Sequence, residues 1–92
     1  MDKARLTQTL SSAREKLSVI EHERWAHWQK YMHEKGTRQP DGSLVIPADL
    51  VATWDRQIAT PYNDLSDKEK DSDREQVDKY LPFLIDYLTK NL

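Results

Sequence analysis

Ninety-two residues, 37% hydrophobic and 33% charged, suffice for one thin core and are too few for two. The chain has no cysteine, which excludes disulfides, thiol catalysis and cysteine metal sites, and its net charge of −2 argues against a DNA or RNA partner. No apolar run approaches the roughly 18 residues that span a membrane, and the opening MDKARLTQTL has no apolar stretch fit for a signal peptide, so a cytoplasmic protein is expected.

The charge is unevenly spread. Residues 1–38 carry eight Lys/Arg against five Asp/Glu, a net of +3, and residues 39–92 carry six against eleven, a net of −5. The positive half suits a small anion or the acidic half of a neighbouring subunit. A domain of this size leaves much of its surface wet, and partner subunits often make up the shortfall, so a homo-oligomer is expected.

Leu6, Leu10, Ala13, Leu17 and Ile20 follow a 4-3-4-3 spacing that lines one helix face. The stripe then drifts to Trp25, Trp28 and Met32, as expected where an arm packs on one partner and the remainder enters a core. Ser12 followed by Glu15 forms a capping-box pattern. A break at Ser11-Ser12 and one helix from about Lys3 to Lys35 both fit, and Gly36 is a natural stop. Residues 1–16 are thus expected to form a helical arm and a candidate oligomerisation element, with the domain proper over 17–92.

Residues 36–47 read as an irregular loop, in which Pro40-Asp41-Gly42 has turn chemistry and Leu44-Val45-Ile46 fits a short extended segment or a pinned loop. Pro47 suits a first helical position, and Leu50, Val51, Trp54 and Ile58 mark a short helix that ends by Thr60, before Pro61. Ser66 and Glu69 give a second capping box, followed by Val77, Tyr80, Leu81, Leu84 and Leu88 at helical spacing. Pro82 predicts a kink or break near Lys79–Leu81. The expected fold is all-α, with three main helices of which one or two are divided or kinked.

Reaction chemistry is nearly absent. His22-Glu23 resembles the start of the zinc motif HExxH, but the next histidine, His27, is five residues on; about 500° of helix rotation sets the two rings roughly 140° apart. The acidic residues of 64–78 alternate with Lys68, Lys70 and Arg74 and read as a solvated, salt-bridged face, with Glu75–Lys79 a favourable i,i+4 pair. Two glycines allow neither a P-loop nor a Rossmann turn. No metal, cofactor or catalytic residue is expected, and the chain reads as a non-enzyme. What remains is an aromatic and cationic set, His22, Trp25, Trp28, Trp54, Arg56 and Tyr62, with Tyr31 and Arg74 nearby. It reads either as an aromatic core with a satisfied histidine or as a pocket where a planar ligand stacks while arginine meets an anion.

His22-xx-Trp25-Ala26 near a helix end, followed by Pro61-Tyr62-xx-Leu65-Ser66-xx-Glu69-Lys70-xx-Asp73-Arg74, resembles the RyR domain. That small repeat is named for ryanodine receptors and also occurs in bacterial and phage proteins. The resemblance covers about residues 17–84, and the second block is the more specific. The chain departs from the receptor repeats in carrying His33-Glu34-Lys35-Gly36 where they carry a Gly-Trp pair, and in having one copy where they have tandem pairs. The resemblance implies a non-catalytic module binding a nucleotide-like small molecule, with free-standing versions resembling phage accessory proteins that sequester a nucleotide-derived signal. The alternative is a protein-interaction or self-assembly module without a small ligand.

Overall fold

Helix periodicity carries most of the chain. The computed structural model describes residues 2–91. In order these form α1 (Lys3–Ser12), α2 (Arg14–Lys35), the strands β1 (Thr37–Arg38) and β2 (Leu44–Val45), α3 (Ala48–Ala59), a 3₁₀ turn (Tyr62–Asp64) and α4 (Asp67–Asn91). The fold is all-α apart from a two-residue antiparallel ladder pairing Thr37 with Val45 and Arg38 with Leu44.

The first helix begins where the Asp2 carboxylate accepts the Arg5 N–H at 2.7 Å. It is separated from α2 at Ala13, whose N–H donates to the Leu10 carbonyl at 3.0 Å, a tightened three-residue turn. The capping box expected at Ser12 does not form. Ser12 Oγ donates to the Thr9 carbonyl at 2.6 Å and meets the Tyr87 hydroxyl, so a contact 75 residues away in sequence replaces the local cap.

Gly36 ends α2 as expected, but by close packing in place of left-handed geometry. Its φ is −87°, and a Cβ there would lie 3.2 Å from Ile46 Cδ1 and 3.3 Å from Leu44 Cβ. The hairpin turn does use a left-handed glycine: Gly42 has φ +89°, and the Asp41 carboxylate accepts both N–H and Oγ–H of Ser43. Pro47 caps α3 one residue before its first turn, its carbonyl accepting the Leu50 and Val51 N–H groups at 3.1 Å. The Ser66–Glu69 capping box is present in both directions: Ser66 Oγ accepts the Glu69 N–H, and the Glu69 carboxylate accepts the Ser66 N–H.

No break occurs at Pro82, and α4 runs through it. Pro82 is exposed, and its ring leaves the Asp78 carbonyl without its helical donor. The expected Glu75–Lys79 pair does not form either. Lys79 turns to Gln76 at 3.3 Å, and the ion pairs on α4 are Arg74–Asp71 and Lys90–Asp86.

Tyr80 meets Glu21, and Tyr87 meets Ser12, so α4 runs antiparallel to α1–α2. Packing between these helices is sparse. Ala13, at 0% exposure, is the one buried apolar residue among those described. The radius of gyration is 18.1 Å, against about 12 Å for a compact chain of this length. The accessible surface is 7446 Å², against about 5,500 Å² for a folded monomer of this mass.

Candidate functional site

Local spacing on α2 brings the aromatic residues together in pairs. His22 stacks on Trp25, with ring centroids 5.9 Å apart and planes at 21°. One turn on, Trp28 stacks on Tyr31 at 5.4 Å, while Trp54 of α3 meets Trp28 edge-on at 5.7 Å and 64°. Lys35 lies over Tyr31, 5.2 Å from its centroid. Trp25 and Trp28 are exposed, and Trp54 is half-buried. The outcome is a ladder of wet aromatic faces, neither a closed core nor a closed pocket.

Arg56 stands apart from that ladder. Its guanidinium donates to Glu69 at 2.9 Å, and Gln57 Nε2 donates to the same carboxylate oxygen at 2.6 Å. Ser66 Oγ and N–H serve the other oxygen, so Glu69 collects four donors and ties α3 to the start of α4. The Ser66 hydroxyl, then Arg56 and Gln57, hold the Glu69 carboxyl down to about 2. Arg56 is 54% exposed, which leaves other guanidinium donors facing solvent.

Tyr62 forms a third group, with Lys70 5.7 Å from its ring centroid and Arg74 beside it. Arg74 also pairs with Asp71 at 2.8 Å, and this bond raises the arginine further above its ordinary range. Tyr62, Arg74, Val77 and the flanking Asp73 and Asp78 line an open depression of about 210 Å³. A second, wider concavity of about 800 Å³ lies between the long helices, lined by Leu10, Arg14, Leu17, Glu21 and Tyr80 among others. Arg24, at 3.1 Å from one Glu21 oxygen, and the Tyr80 hydroxyl lower the Glu21 carboxyl to about 2.

The six expected site residues therefore fall into separate places. His22 and Trp25 are one pair, Trp28 and Trp54 another, Arg56 belongs to the Glu69 clamp, and Tyr62 lies against α4. Neither concavity is lined by Trp25, Trp28, Trp54 or Arg56. Glu69, Lys70 and Arg74 gain roles that spacing alone did not assign. The capping box signalled Glu69, but its bonds from Arg56 and Gln57 span 13 and 12 residues and have no local signature.

Among the described residues, no group of three or more His, Cys, Asp or Glu is arranged to hold a metal ion, and no helix is long and apolar enough to cross a membrane. No family model, curated protein or solved structure matches the chain.

Proposed function

We propose that this chain is a non-catalytic, cytoplasmic assembly module that works as a homo-oligomer. The observation that carries it is the nearly absent core, with Ala13 alone buried among the described apolar residues. Side chains left half-wet contribute only part of the roughly 1.5–3 kcal/mol that full burial of a large apolar residue supplies. Ordering the backbone costs about 1–2 kcal/mol per residue, so the long helices need another surface to be stable. The accessible surface, about 1,900 Å² above that of a folded monomer of this mass, is area that a second copy would cover.

The test is the mass in solution together with the dependence of the melting temperature on protein concentration. A mass that is a multiple of 10.8 kDa and a Tm that climbs with concentration are expected. A single-chain mass with a concentration-independent Tm would end the proposal.

A second function, binding a nucleotide-like ligand, is favoured by the exposed stacked pair Trp28–Tyr31 with Lys35 above it. A base can stack on such a face while lysine meets phosphate, and the RyR resemblance supports the same ligand class. Thermal shift with mono-, di- and cyclic nucleotides tests it. Absence of any shift at millimolar ligand removes this function and leaves the assembly role intact.

A further inference from the structure

The two long helical layers touch along one line, marked by Glu21 of α2 and Tyr80 of α4. At about 100° per residue, that contact fixes which side chains share a flank of the antiparallel pair. Val77, Leu81 and Ile85 of α4 then lie on the same flank as His22 and Trp25 of α2. Spaced four residues apart, the α4 residues form one ridge. All are exposed: Val77 by 50%, Leu81 by 47%, Ile85 by 65% and Trp25 by 55%. The half-buried Leu84 and Leu88 adjoin the ridge. Between positions 77 and 88 the only charged residue bordering it is Asp78. A ridge this apolar on a small protein marks an interface.

The surface area favours a second copy as the occupant. The chain exposes about 1,900 Å² more than a folded monomer of its mass. That excess, spread over the whole chain, exceeds the roughly 800 Å² per partner that a standard interface buries. Charge selects the direction. Residues 67–78 carry three Lys/Arg against six Asp/Glu, a net of −3, whereas residues 79–91 carry two against one, a net of +1. Parallel pairing would set the two −3 ends side by side, and antiparallel pairing sets each against a +1 end.

We infer that a second copy of this chain docks on the Val77–Leu81–Ile85 ridge, α4 against α4 in antiparallel register about a two-fold axis near Leu81, with Trp25 at the margin. This rests on the self-association proposed above and specifies its surface. In such an isologous contact Leu81 faces Leu81 of the other copy, and Val77 faces Ile85.

The absence of native cysteine makes disulfide trapping a clean test. Leu81→Cys oxidised with diamide is expected to give a covalent dimer by itself. Val77→Cys or Ile85→Cys alone should give little, because each lies too far from its own counterpart to be bridged, whereas their mixture should give the cross-linked pair. Glu75→Cys, on the opposite flank of α4, should give none. Self-cross-linking at all three ridge positions would overturn the antiparallel register. Failure at all of them, with an unmodified chain that is dimeric by mass, would overturn the ridge and leave assembly standing; a monomeric unmodified chain would overturn both. Leu81→Glu adds a second readout, an expected shift in mass from two chains to one or a loss of helix signal on dilution. An unchanged dimer in that variant would also refute the ridge.

Discussion

The corner from Gly36 to Arg74 and the layer of long helices are held by different means. In the corner, polar groups close upon near neighbours: Asp41 on Ser43, Ser66 on Glu69, Arg74 on Asp71. The longer reach of Arg56 and Gln57 to Glu69 then locks α3 to α4. In the layer, α1–α2 and α4 meet through Ser12–Tyr87, Glu21–Tyr80 and the buried Ala13, while their large apolar residues stay half-wet or exposed. The contrast teaches that a segment rich in caps and turns organises itself within one chain. A pair of long helices with few mutual contacts depends on what else covers it.

The largest change is expected from removing the helix-breaking residue of the layer. Pro82→Ala should stabilise the protein by as much as about 3 kcal/mol, because α4 already passes through this position without a break. Urea unfolding measures it. A loss of stability instead would show that packing of the layer needs a bend at Pro82, and would blur the contrast with the corner.

Next is an overpacking test in the corner. Gly36→Val adds bulk where a Cβ alone already meets Ile46 and Leu44 at 3.2–3.3 Å, and should cost about 1–3 kcal/mol. If thermal unfolding of this variant shows no change, the hairpin is looser than its contacts indicate.

Ser66→Ala removes one partner of the capping box and should cost about 1 kcal/mol. The same variant separates the regions, since native-state hydrogen exchange should speed up at the start of α4 and in α3 while amides near Ala13 are spared. Uniform acceleration would mean that corner and layer unfold as a single unit.

The smallest effect is that of acid. Glu69 and Glu21 both have carboxyls lowered from 4.5 to about 2. Depressed carboxylates contribute stability that is fully present above the ordinary value and is lost as pH falls through about 4.5 toward 2. Because both groups are near solvent, salt should shrink the effect. A melting temperature that holds from pH 7 to about pH 5 and then falls is expected. Glu69→Gln should flatten the corner's share of that fall, seen as a smaller acid-induced rise in exchange at α3. A fall no shallower than that of the unmodified chain would show that the clamp adds nothing.

Much of the fold was legible because it is local. The Ser66–Glu69 box, the Asp41-Gly42 turn, the stop at Gly36 and the end of α3 at Thr60 each depend on residues within a few positions of one another. The Ser12 cap and the Glu75–Lys79 pair misled for the complementary reason. Tyr87 claimed the serine from across the fold, and Gln76 took the lysine. The candidate site was legible only as pieces. Spacing along α2 grouped His22 with Trp25, but it could not show that Arg56 would answer to Glu69 or that Tyr62 would lie beside Lys70 and Arg74.

The amino-acid sequence alone determined an all-α chain, the turn at Asp41-Gly42 and the helix boundaries at Gly36, Thr60 and Ser66, since propensity, capping and periodicity act over one or two turns. Only the tertiary structure decided that α4 passes through Pro82, that the chain divides at Ala13, and that the stripe at Val77, Leu81 and Ile85 stays exposed among the described residues. Those outcomes depend on which surfaces meet across tens of residues, and a pattern of apolar spacing specifies a helix face without naming what lies against it.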